Sequence, residues 1–210
     1  MKKAALAALM CLTPIPALAH PHVFADAKLE VVEGPDKTLL ELKHTWYFDE
    51  VFSSSVMMDY DKNTDLKLEP DELADISNTV VNSLADYSYY TLVTLNGKDV
   101  VMAHPHYIKA DFKDNRLLIT FAIKPAKPLP LKGNISVGAY DPSLYTALDF
   151  AKDSDFKLDG KELNACKHAV VRPDPDQIIS QNQASLTDSF FNDPTTIPSK
   201  LVATRLDLSC

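Results

Sequence analysis

Two long stretches alternate with a period of two, and this constrains the fold more than any other feature of the chain. In "HVFADAKLEVV", residues 22 to 32, Val23, Ala25, Ala27, Leu29 and Val31 share one face. In "TLLELKHTWYF", residues 38 to 48, Leu40, Leu42, His44, Trp46 and Phe48 do the same. Successive strand side chains point to opposite faces, so each run reads as a β-strand with one buried side. Gly34-Pro35-Asp36 between them is turn chemistry, and the pair reads as a hairpin.

After residue 48 the period changes. Phe52, Val56 and Tyr60 recur at helical spacing, as do Leu73, Ile76, Val80, Leu84 and Tyr87. Residues 49 to about 87 therefore read as a helix–loop–helix inserted among strands. Strand patterns resume near 88–95, 99–112, 116–124, 133–140, 144–151 and 164–172, and the polar, Pro-containing 173–199 reads as a long loop. The expected fold is mainly β (α+β): an antiparallel β-sandwich with a helical insert.

The first 19 residues carry Lys2 and Lys3, an apolar run from Ala4 to Leu12, and Ala17-Leu18-Ala19 as a small-x-small cleavage site, the pattern of a secretory signal peptide. The apolar run is too short to span a bilayer, and Met10 before Cys11 is too bulky for lipid attachment. Cleavage would leave one domain, 20–210, beginning at His20. Its charge is acidic (net −8 for the whole chain), which argues against nucleic acid or an anionic membrane as partner. Cys166 and Cys210 remain, and in an exported chain such a pair usually means a disulfide; the alternative, a thiolate metal pair, is disfavoured by a spacing of 44 without a CxxC. Closing that loop would stabilise by about 4 kcal/mol.

"DKNTDLKLEPDEL" aligns with an EF-hand loop. Asp61, Asn63 and Asp65 take positions 1, 3 and 5, Lys67 the carbonyl position 7, Glu69 position 9 and Glu72 the bidentate position 12. This donor set suits Ca²⁺, with one departure: Leu66 stands where glycine makes the turn, and a leucine at positive φ costs about 1–2 kcal/mol. The alternative is a loop held by its own Asx-type hydrogen bonds without an ion. A second stretch, "AKDSDFKLDGKEL" (151–163), has Ala151 at position 1 and Phe156 at position 6, with strand-like flanks, and reads as an acidic turn.

The tetrad "AHPH" occurs twice, bringing His20 with His22 and His104 with His106. On a strand, residues i and i+2 share a face, and Pro21 and Pro105 confine each segment to a strand start or an edge. Four imidazoles brought together would suit Zn²⁺. A new amino terminus at His20 could also form a copper histidine brace, whereas Pro21 excludes amide-based square-planar binding. Against a shared site, His22 shares its face with Asp26, Lys28 and Glu30, and His104 and His106 share theirs with apolar residues. His44, among Leu42, Trp46 and Phe48, reads as a core histidine. Hydrolase and metalloprotease motifs (GxSxG, HExxH) are absent, so no catalytic residues are assigned.

The stretches "AHPHVFADAKLE", "HTWYFDEVFS", the EF-hand-like loop, "GAYDPSLYTALDF" and Cys166, taken in order, resemble the periplasmic HPH transport-component family, which includes ZevA-like zinc proteins. The resemblance implies a periplasmic protein working beside a membrane permease of the nickel/cobalt type, with zinc as cargo. It carries over His20 and His22, and Asp61, Asn63, Asp65 and Glu72, but not His104 or His106. The expected function is zinc capture and delivery to that permease. The alternatives are a non-catalytic adaptor with a calcium-stabilised insert, and a copper enzyme built on His20.

Overall fold

A computed structural model describes residues 21–174, 177–178 and 199–210. The chain runs through β1 (Val23–Gly34), β2 (Thr38–Phe48), α1 (Glu50–Tyr60), α2 (Pro70–Leu84), β3 (Thr91–Leu95), β4 (Lys98–Asp99), β5 (Ile108–Lys113) and β6 (Arg116–Ile123). It continues through β7 (Leu129–Pro130), β8 (Asn134–Ala139), β9 (Thr146–Asp149), β10 (Phe156–Asp159), α3 (Lys161–Ala165), β11 (Lys167–Val171), α4 (Ser199–Val202) and β12 (Arg205–Ser209).

One sheet has the order β10-β1-β2-β6-β5, with β9 also on β1 and β7 on β2, and the other has the order β11-β12-β8-β3-β4. Their apolar faces meet in one core, where Trp46, Ile119 and Phe121 of the first sheet join Val93, Val137, Leu206 and Leu208 of the second. The sandwich expectation holds, with one difference: β9 and β10 pair parallel to β1 rather than antiparallel. Each returns to β1 after more than a hundred residues, and a long crossover is what parallel pairing requires.

The β1–β2 hairpin forms as the alternation predicts, apart from a register shift between Val32 and Glu33. That bulge reverses the facing beyond it, so Leu39 is buried and Leu40 exposed, opposite to the expectation for Leu40. The helix–loop–helix is present: Asp49 caps α1 by accepting the Phe52 N–H at 2.9 Å. Among the described residues strand β5 pairs on one side only. Within it Ala110 N–H donates to Ser77 Oγ of α2, so the helix takes up a backbone donor that an edge would leave open.

Three strand expectations are corrected. Residues 88–90 are not strand but part of a 3₁₀ segment, with Ser88, Tyr89 and Tyr90 all at positive φ (51°, 53° and 53°). Residues 161–165 form α3, because the Glu33 carboxylate accepts the N–H groups of Glu162 (2.8 Å) and Leu163 (3.3 Å) at its start. The acidic stretch 151–163, expected as a turn between strands, holds a 3₁₀ turn (Asp153–Asp155), the short strand β10 and the start of α3, while strands β9 and β11 flank it as expected. The third correction, within 99–112, shapes the candidate site.

Cys166 and Cys210 form the expected disulfide, with Cα atoms 4.6 Å apart. The bond ties down more than a fraying end, since β12 is paired on both sides, to β11 and to β8. Among the described residues no helix is long and apolar enough to cross a membrane.

Candidate functional site

The second HPH segment does not lie on a regular strand. Met102 pairs with Pro125 and Ile108 with Phe121, so residues 103–107 stand opposite only 122–124. Ala103 N–H donates to Lys124 O at 2.8 Å, and the chain then bulges out through His104, Pro105 and His106. Proline suits this place because it has no N–H to leave unpaired. The i, i+2 argument for two imidazoles on one strand face therefore fails here, and each ring is placed by its own neighbours.

His104 is placed by Tyr89. The tyrosine hydroxyl and His104 Nδ1 are hydrogen-bonded at 2.7 Å, and the rings meet edge to face with centroids 5.7 Å apart. Tyr89 is itself buried and held at φ 53°. Burial pushes its phenol above the usual tyrosine pKa, so it stays protonated. In the tautomer whose Nδ1–H donates to the Tyr89 oxygen, Nε2 carries the lone pair that His104 offers to a ligand, and the residue as a whole is exposed. His106 is also exposed.

Both histidines border a cavity of about 640 Å³ over the outer face of the first sheet, walled also by Lys28, Glu30, Lys43 and Tyr107. Its carboxylates are already engaged. Glu30 pairs with Lys157 (2.6 Å) and Lys43 (3.6 Å), and the Lys157 hydrogen bond holds Glu30 below the usual carboxylate range. Glu41 faces Lys124 at 3.9 Å. The groups best suited to a soft or borderline cation here are the imidazoles.

The first HPH segment lies elsewhere. His22 N–H donates to Tyr145 O at 2.9 Å, and the His22 ring sits 5.1 Å from the Tyr145 ring. Tyr145 is positioned by the turn after buried Asp141, whose carboxylate accepts the N–H groups of Ser143 (2.8 Å) and Thr146 (2.9 Å). Through the register Phe121–His44–Leu29, the 104–107 bulge stands level with the stretch of β1 after Leu29. Eight to ten residues of strand separate that level from His22, roughly 25–30 Å. The structure therefore does not bring His22 together with His104 and His106 as expected, because they stand at different ends of the strands. His20 lies outside the described residues. Among the described residues no three His, Cys, Asp or Glu side chains are grouped to hold a metal ion.

His44 is the core histidine expected. It is 1% exposed, stacked on Phe121 (4.6 Å), with Nε2 3.1 Å from Thr91 Oγ1. Thr91 Oγ1 donates to Tyr89 O, so it accepts from His44 Nε2–H. Burial pushes the His44 pKa down to about 3.

The EF-hand-like loop is closed by its own hydrogen bonds. Leu66 N–H donates to Asp61 Oδ2 (2.8 Å), Asp65 N–H to Asn63 Oδ1 (2.9 Å) and Lys67 N–H to Asp65 Oδ1 (2.9 Å). Leu66 adopts φ 62°, the conformation a glycine there would take. Glu72, buried at the start of α2, accepts Lys62 N–H (2.7 Å) and Glu69 N–H (3.0 Å), one on each oxygen. Those backbone donors hold its carboxyl below the usual range. The acid expected to bind calcium through both oxygens acts here as a cap; Lys67 and Glu69 complete the candidate set and lie in the same loop.

The partners Tyr89 and Tyr145 were not among the sequence-derived site residues. Their signal is tertiary, since each meets a histidine through the fold, although Tyr145 does stand in the quoted "GAYDPSLYTALDF".

Fold and site define a β-sandwich that carries an acidic helix–loop–helix and two separate tyrosine-backed histidine segments. The chain belongs to the family described as "Protein of unknown function (DUF1007)", whose model matches residues 5–210. It is also similar to a protein of Haemophilus influenzae described as "Uncharacterized protein", 27% identical over 196 residues that cover 92% of each chain.

Proposed function

We propose that this is a periplasmic metal-binding protein whose two HPH segments take up zinc as separate ports and pass it to a membrane metal permease, as in the ZevA-like zinc proteins its sequence resembles. The observation that carries the reading is the Tyr89–His104 hydrogen bond. An imidazole whose Nδ1–H donates to a second group, here the Tyr89 hydroxyl oxygen, has its ring oriented for metal binding through the Nε2 lone pair. Two imidazoles with solvent completing the shell bind loosely enough to release the ion, which suits a carrier rather than a structural zinc site. The signal-like residues 1–19 support export, and the Cys166–Cys210 disulfide suits an oxidising compartment.

The test is calorimetric titration with Zn²⁺ of the protein and of His104→Ala/His106→Ala and His20→Ala/His22→Ala variants. The expected result is loss of one binding event in each variant, with the other unchanged. Unaltered titration in both variants would refute the reading.

A second reading concerns the insert alone. The carboxylate oxygens of Asp61 and Glu72 accept backbone N–H groups within the loop, which favours a structural element that keeps its shape without Ca²⁺. Saturable thermal stabilisation by millimolar Ca²⁺, lost on Asp61→Asn, would overturn it and restore calcium as a cofactor.

A further inference from the structure

Charge is concentrated in one part of the chain. Residues 49–84 hold nine acids and two lysines, seven of the eight net negative charges, and the remainder is close to neutral. The same unit carries the three most exposed large apolar side chains among the described residues: Val51 (83%), Leu66 (79%) and Met58 (77%).

A surface helix ordinarily turns charged residues outward. In α1 the inward side is apolar, with Val56 buried and Phe52 and Tyr60 packed on the core. Its outward side carries Val51, Ser54 and Met58 at i, i+3 and i+7, a stripe without charge. Leu66 is held in left-handed backbone where glycine would be easier, and its side chain projects into solvent without gaining burial. Single exposed apolar residues are ordinary, but the uncharged stripe along α1 and Leu66 in the loop that follows it offer apolar side chains within an acidic unit, which a partner of opposite charge can cover.

We infer that the outer face of α1 and the loop 61–69 form a docking surface for a basic, amphipathic segment of a partner protein. Its apolar residues would cover Val51, Met58 and Leu66, while its lysines or arginines would face Asp59, Asp65 and Asp71. This is recognition of an amphipathic segment along an exposed strip, with electrostatic complementarity setting partner choice and association rate. The charge excludes the simpler occupants. An anionic lipid surface is repelled by this unit, and two copies meeting through it would bring like charges together. The inference does not rest on metal binding at the histidines.

The test uses the protein and a labelled peptide of alternating Lys and Leu helical faces, followed by fluorescence anisotropy. A peptide of equal charge with Ser in place of Leu serves as control. Saturable binding of the Lys/Leu peptide is expected, weakened about tenfold or more by Val51→Ser/Met58→Ser and by Leu66→Gly. Leu66→Gly is expected to relieve the backbone and raise Tm, and that measurement separates lost binding from lost folding. Zinc titration of both variants should be unchanged, which separates this surface from the histidine ports. Equal binding of the Lys/Ser peptide, undiminished binding by the variants, preferential binding to anionic phosphatidylglycerol vesicles, or self-association abolished by the same substitutions would each overturn the proposal.

Discussion

The two HPH segments share four letters and little else. The first opens β1, with its backbone on Tyr145 and the ring of His22 beside that tyrosine. The second sits in a bulge between two paired stretches, with the His104 ring held through Nδ1 by Tyr89. A repeat in sequence therefore yields two local environments, and what they have in common is a tyrosine that the fold brings against the segment, from 15 residues away at His104 and from the far end of the sheet's sequence at His22. His44 provides the contrast. It has the same side chain as His104 and contacts the same tyrosine-bearing segment through Thr91, yet burial makes it a neutral core residue.

The largest expected effect tests that contrast. The folded protein holds His44 neutral down to about pH 3, whereas the unfolded chain takes up a proton near pH 6.5. Stability is therefore lost as pH falls through that window, by about 4 kcal/mol at its acid end. A His44→Leu variant, followed by urea unfolding across pH 3–7, should show a correspondingly flatter profile; identical profiles would place His44 in contact with solvent. Next in size, His104→Ala/His106→Ala should weaken zinc at the second segment about 100-fold or more and leave the first untouched. Tyr89→Phe, which removes only the orienting hydroxyl, should cost about tenfold at the second segment alone. If it weakened both segments equally, the separation between them would be wrong. Smallest, Leu66→Gly should raise stability by about 1 kcal/mol by removing the left-handed leucine, measured by thermal unfolding in EDTA.

Local periodicity made much of the fold legible. The β1–β2 hairpin and the two helices follow from repeats of two and of three to four, and the cysteine pair from composition and context. The bulge at 103–107 was hidden because Met102, Ile108 and Phe112 keep an even spacing across it, so the alternation looks unbroken. The left-handed run at 88–90 was hidden because Ser-Tyr-Tyr carries no glycine to announce it, and tertiary packing of Tyr89 overrides local preference. Helix α3 depends on a cap from Glu33, well over a hundred residues away. At the site, the histidines were legible as residue types. Their grouping was not, because register across four strands decides it.

The most direct measurement is nitrogen-15 NMR of the imidazole rings during titration with Zn²⁺. The account predicts that Nε2 of His104 shifts on binding while its Nδ1 keeps the signature of a hydrogen-bonded N–H and His44 stays unchanged. Movement of His104 Nδ1 instead, or of His22 and His104 together as one cooperative event, would contradict it.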